Sequence, residues 1–246
     1  MLAEPSAQLR LLDLAAADTE IAQLMHRRKM LPVHAEIARL AESRKRVTAQ
    51  LVAATTQVSD AQYELDKIER DIDPIRVRVE RDQERLDQGA VTDPKVVERL
   101  VAEVAKMRLR LSDLEDAQLE AMQAVEDAIE RRKKIEAARD SGDAELRELM
   151  GQRDRAVAKL DAEVADRSAE REILAGEIPE DLLAAYEKTR TRTGLGAAKL
   201  HQGRCSGCGL ELNPGELRRI RAALSNEVLR CEECGRILIR TAGSGL

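Results

Sequence analysis

The sequence predicts a mainly α fold: a long antiparallel coiled-coil hairpin carrying a small C-terminal β ribbon built on four cysteines. Three observations carry that expectation. Charged residues make up 35% of the 246 positions and aromatic residues 1%, with no Trp or Phe, a composition suited to amphipathic helices that bury a stripe against one another. From Val33 onward apolar residues recur at alternating spacings of four and three, the period of a coiled-coil seam. All four cysteines fall near the C-terminus, as two Cys-x-x-Cys pairs.

The first arm follows the positions Val33, Ile37, Leu40, Arg44, Val47, Leu51, Ala54, Val58, Ala61, Leu65, Ile68, Ile72, Ile75, Val79, Asp82 and Leu86, of which only Arg44 and Asp82 are polar. Pro32 stands at the start of this seam, which predicts a separate helix before it, over residues 6–30. Pro74 leaves the heptad register intact and predicts a kink within one helix. In "LDQGAVTDPK", Gly89 suits a helix C-terminus, Thr92 or Asp93 can cap the next helix, and Pro94 fits its first turn. A second seam then runs from Val97 through Leu100, Val104, Met107, Leu111, Leu114, Gln118, Ala121, Val125 and Ala128. It degrades from Arg132, where the expectation is looser packing against the N-terminal helix. A short connection between two arms of similar length predicts that one folds back on the other, over about 100 to 120 Å. Gly176 and Pro179 end the second arm, and "EDLLAAYEKTR" reads as a short connecting helix. The organisation expected is therefore residues 1–178 as coiled-coil hairpin and 179–246 as ribbon.

In the C-terminal part, "CSGCG" at Cys205 and Cys208 is matched by "CEECG" at Cys231 and Cys234. One Cys-x-x-Cys turn supplies two corners of a tetrahedron and a second turn completes it, so the four thiols predict a structural Zn2+ site. The glycine after each pair permits the positive φ that turns backbone amides toward the sulfurs. Four thiolates close the coordination and leave no position for an activated water, which argues against a catalytic metal. The 22 residues between Cys208 and Cys231 are expected to form a strand, a turn and a return. With no aromatic residue after Tyr186, the metal is expected to stand in for a hydrophobic core. "GRILIR" is the better strand candidate and "LGAAKLHQGR" the weaker.

No stretch of about 18 apolar residues occurs, and the N-terminal sequence lacks the pattern of a secretory signal, so a cytoplasmic protein without membrane contact is expected. A reducing compartment favours metal over disulfides. The net charge of −5 is uneven: from Tyr186 onward there are eleven Lys or Arg against six Asp or Glu. Lys199, Arg204, Arg218, Arg219, Arg221, Arg230, Arg236 and Arg240 are the candidate contacts to DNA or RNA phosphates. Solvation and pairing with Glu211, Glu216 or Glu227 is the competing reading. His201 is not needed as a ligand beside four thiolates, "TGLGAAK" lacks the residues of a phosphate loop, and no nucleophile or open metal site points to an enzyme or a small-molecule substrate.

A helical hairpin followed by "CSGCG", "NP", "LRRI" and "CEECGRIL" resembles the bacterial family of C4-type zinc-ribbon proteins with an N-terminal coiled-coil hairpin. The resemblance spans the whole chain, with the ribbon motif as its specific part. Some members bind the alternative sigma factor 54 and one a flagellin messenger RNA. The resemblance thus implies a regulatory factor that acts through nucleic acid or, alternatively, a protein adaptor on transcription or secretion machinery, without carrying over a particular partner. The basic ribbon is the expected nucleic-acid surface and the coiled coil the expected protein surface.

Overall fold

The computed structural model describes residues 1–246 as five helices and four short strands. The helices are α1 (Pro5–Lys29), α2 (Val33–Asp87), α3 (Pro94–Gly176), α4 (Glu180–Thr193) and α5 (Pro214–Ala222). The strands are β1 (Ala197–His201), β2 (Arg204–Cys205), β3 (Leu229–Arg230) and β4 (Ile237–Ile239). Contacts gather the chain into two compact units, Ala35–Met150 and the combination of Met1–His34 with Gly151–Leu246. The ribbon, placed after residue 178 by sequence, shares its unit with α1 and the end of α3. The physical reason is that its sheet needs a helical cover, described below.

Within Ala35–Met150, α2 and the first part of α3 run antiparallel. Ion pairs and hydrogen bonds step backward along α3 as they step forward along α2: Arg44–Asp143, Glu69–Gln118, Arg76–Glu115 and Arg78–Glu103. The buried residues of this unit are Ala54, Leu65, Ile72, Val79 and Asp82 on α2, with Val104, Val125 and Ala128 on α3, all of them on the two seams read from sequence. α2 continues through Pro74 as one helix, and the proline lies on the exposed side, away from the buried Ile72 and Val79. At the tip, Gly89 adopts φ +62° and its neighbours Gln88 and Ala90 donate to the last carbonyls of α2. Asp93 is the cap of α3, its Oδ1 accepting from Lys95 N at 2.9 Å.

The polar breaks in the seam are paired. Arg44 Nε donates to Asp143 at 2.6 Å, and the buried Asp82 is ringed by Arg78, Arg81 and Arg85 of its own helix. Hydrogen bonding from Arg81 holds the Asp82 carboxyl below the usual carboxylate range.

The second unit starts from α1, which Pro32 separates from α2 as expected. It lies antiparallel to the end of α3, joined by Arg10–Glu177, Asp18–Arg171, Glu20–Arg167 and Arg28–Asp161. The sheet order is β2-β1-β4-β3, with β1 and β4 parallel and the outer pairs antiparallel. The two-residue alternation of β1 and β4 divides their side chains between two cores. Ala197, Ile237 and Ile239 face Leu11, Leu14 and Ala15 of α1 with Ile178, Leu182 and Tyr186. Ala198, Leu200 and Leu238 face Cys205, Leu212, Ile220, Leu229 and Cys231. The expectation that metal alone replaces the core is therefore corrected: one face of the ribbon is covered by α1 and α4.

A second correction concerns the segment between the cysteine pairs. It holds α5 followed by the two-residue β3, where a strand, turn and return was expected. Asn213 caps α5 by accepting from Glu216 N at 2.8 Å, and Pro214 occupies the first turn.

Candidate metal centre

The two cysteine turns are built alike. In the first, Cys205 N donates to Leu210 O at 3.0 Å and Gly209 N to Cys205 O at 2.8 Å, with Gly209 at φ +76°. In the second, Cys231 N donates to Arg236 O at 3.0 Å and Gly235 N to Cys231 O at 2.8 Å, with Gly235 at φ +70°. The left-handed glycine lets each turn close so that amides point at sulfur. Gly207 and Cys208 serve Cys205, Glu233 and Cys234 serve Cys231, and Arg236 N serves Cys234. Glu216, buried on α5, fixes the second turn by accepting from Glu232 N at 3.2 Å.

The four ligand atoms all lie within 4.8 Å of one another, and the Cys205–Cys234 and Cys208–Cys231 sulfurs are each 3.9 Å apart. Zinc–sulfur bonds of about 2.3 Å in a tetrahedron require edges of about 3.8 Å. The donor set therefore fits Zn2+ in size and in chemistry.

The electrostatics agree. Burial pushes the Cys205 thiol up and the Cys231 thiol up to about 12, against the pull of the backbone amides. Burial also opposes ionisation of Cys234, but there the amide of Arg236, the Cys231 side chain and the Arg236 guanidinium outweigh it, and the thiol falls below its usual value. Four thiolates crowded in a half-buried site are tenable only with a cation among them. The zinc would be held by Cys205, Cys208, Cys231 and Cys234, with no coordination position left over.

Six of the eight basic candidates are engaged within the head, the unit formed by Met1–His34 with Gly151–Leu246. Arg204 pairs with Glu211 and Arg219 with Glu232, both at 3.0 Å. Arg221 donates to Gly245 O at 3.4 Å, and Arg230 to Thr189 Oγ1 at 3.0 Å and Gly235 O at 3.1 Å. Arg236 donates to Thr193 O at 2.7 Å, and Arg240 gathers the carbonyls of Ala223, Leu224, Ser225 and Glu227. Lys199 and Arg218 are exposed, as is His201, which stands outside the thiol cluster.

A second polar cluster had no signal in sequence spacing. Asp18 of α1 is buried and accepts from Tyr186 Oη at 2.6 Å, Arg171 Nε at 2.6 Å and Arg190 Nη1 at 3.2 Å. Arg171 and Arg190 also hold Glu187, so one network binds α1, α3 and α4 beside the ribbon's helical core. Tyr186 is fully buried, and that burial raises its phenol well above the ordinary range. Gly196 passes directly beneath it, where a Cβ would overlap the tyrosine ring and carbonyl.

Comparison with known proteins agrees with this geometry. Residues 14–194 match the CT398-like coiled coil hairpin domain and residues 204–238 the C4-type zinc ribbon domain. An uncharacterized protein of Mycobacterium tuberculosis is 32% identical over 243 residues, spanning 99% of each chain. A solved structure from Mycobacterium smegmatis is 33% identical with a TM-score of 0.85, covering 98% of this chain and 100% of its own. CT398 from Chlamydia trachomatis shares the fold at 16% identity and a TM-score of 0.69, over 96% of this chain and 98% of its own. Hairpin, ribbon and relatives agree, and the chain belongs to the family of CT398-like coiled-coil hairpin proteins with a C4-type zinc ribbon.

Proposed function

We propose that the protein is a non-enzymatic adaptor whose zinc-stabilised head and helical hairpin dock on protein partners inside the cell. One observation carries this reading: six of the eight basic side chains that would meet a polyanion already donate to carbonyls, carboxylates or a hydroxyl of the head. An arginine that holds four carbonyls in place is a structural clamp, and turning it toward phosphate would unfasten the loop it holds. The hairpin offers surface for a partner, since Val52, Tyr63 and Val77 are exposed on the face of α2 opposite its seam. The closed four-thiolate site supports a structural metal and no chemistry on substrate.

A second reading, a nucleic-acid-associated regulatory factor, draws on Lys199 and Arg218, exposed in the basic C-terminal part. Fluorescence anisotropy with duplex DNA and with RNA at about 50 mM salt separates the two. The adaptor predicts no saturable binding. Binding that weakens steeply with salt and is abolished in the double variant Lys199→Ala, Arg218→Ala overturns it. In cells, cross-linked protein partners recovered with the full chain should be lost when Val52, Tyr63 and Val77 are each replaced by Glu. Equal recovery with that variant contradicts a partner on this face of the hairpin.

A further inference from the structure

We propose that Arg236 is the fixed counter-cation of the zinc–thiolate centre, and the strut that ties this centre to the end of α4. Its backbone belongs to the second cysteine turn, with the carbonyl accepting from Cys231 N at 3.0 Å and the amide serving Cys234. Its side chain folds back over the first turn. A Cβ built on Gly207 would lie 2.7 Å from Arg236 Cδ and 3.2 Å from Nη1, so the glycine leaves room for the passing stem. Nη2 donates to the carbonyl of Thr193, the last residue of α4, at 2.7 Å. Nε is buried and has no hydrogen-bond partner, so an unused charged donor sits on the stem that packs against the first cysteine turn.

Charge balance gives this placement its meaning. Four thiolates and one Zn2+ leave two net negative charges in a half-buried site, where low dielectric disfavours them. Backbone amides contribute partial charges, whereas Arg236 brings a full positive charge against the first cysteine turn, with its buried Nε unpartnered. Arg230 lies close by but donates to Thr189 and the Gly235 carbonyl, and Arg192 lies against Gly235. Partners of this kind around a metal alter its affinity about ten- to a hundredfold. Because the same guanidinium holds Thr193, metal loading and the order of the α4–β1 connection become one event. Arg236 is a positioning residue and is not a ligand.

The test uses the full chain and reads two quantities. Transfer of zinc to a chromophoric chelator gives the rate of metal loss, and the sulfur-to-cobalt charge-transfer band of the cobalt-loaded protein reports charge at the sulfurs. Arg236→Gln is expected to lose zinc about tenfold faster or more, with the band moved to lower energy as the thiolates lose their cation. Arg236→Lys, which keeps the charge, should retain the band position of the parent. Arg230→Gln removes a neighbouring charge that does not reach sulfur and should leave the band in place. The proposal is overturned if Arg236→Gln loses zinc within about twofold of the parent rate. Faster loss with an unmoved band overturns it too, because packing alone then explains the effect, as does an equal band shift in Arg230→Gln. Should Arg236→Gln not take up metal, Arg236→Lys still decides, since a shifted band in that variant contradicts the role of charge.

Discussion

The hairpin and the head bury their side chains in different ways. In Ala35–Met150 each buried residue belongs to a single seam and the rest of each helix faces water, so cohesion is spread thinly over small and medium side chains such as Ala54, Leu65, Ile72 and Val104. In the head a short sheet is covered on both faces. Leu14, Leu182, Tyr186, Leu200, Ile220 and Ile237–Ile239 are almost wholly buried, and the cysteines close one side. A seam tolerates the loss of one rung because its neighbours are local. A layered core closed by one metal does not, and substitutions of equal size should have unequal effects in the two units.

The largest expected effect is on the cysteine side of the head. Metal binding by such sites contributes about 10 to 16 kcal/mol to folding. Cys231→Ser should therefore unfold β2, α5 and β3 while most of the helical circular dichroism persists, because α1 to α4 do not depend on sulfur. Loss of the whole helical signal would erase the distinction between the units. Next in size, Leu14→Ala in the helical core of the head should cost about 3 to 5 kcal/mol, and Leu65→Ala in the seam about 2, read as shifts of the two unfolding midpoints in denaturant. Equal costs would mean that the seam is packed as tightly as the sheet.

These contrasts also explain what the sequence made legible. Buried seam positions could be read residue by residue, from Ala54 to Val79 and from Val104 to Ala128, because a coiled coil maps burial onto a fixed local spacing. The metal ligands were legible for a similar reason, since Cys-x-x-Cys is a local turn. The cover of α1 on β4 was not: Leu11 and Leu14 lie more than 200 positions before Ile237, and no spacing links them. Asp18 and Tyr186 escaped notice in the same way. α5, by contrast, carries a local signal, although strands were expected in its place. "NPGE" carries a cap, a first-turn proline and an acidic third position, the signature of a helix start. The basic residues show the opposite failure, because composition reveals charge but not which carbonyls an arginine such as Arg240 will hold.

Smaller effects sharpen the comparison. Tyr186→Phe removes one charge-assisted hydrogen bond to Asp18 and should cost about 1.5 to 3 kcal/mol in the head transition alone. Burial raises the Glu187 carboxyl, but hydrogen bonds from Arg171 and Arg190 outweigh it and hold the group below its usual value. A depressed carboxylate contributes stability above the ordinary carboxylate range and loses it as pH falls through its folded value. The stability gap between the parent and Glu187→Gln should thus be full above about pH 5 and close on further acidification. A gap that widens in acid would contradict the pairing. Smallest of all, Arg28→Ala breaks an exposed pair with Asp161 and should cost less than about 1 kcal/mol.

Hydrogen exchange followed before and after chelation of the metal tests the central contrast most directly. Amides of Cys205–Arg236 in β2, α5 and β3 should lose protection once zinc is removed, the β1–β4 pair should keep part of its protection through the α1 cover, and the seam of Ala35–Met150 should not change. Unaltered protection around the four cysteines would contradict a structural metal, and collapse of protection along the hairpin seam would contradict two separately supported units.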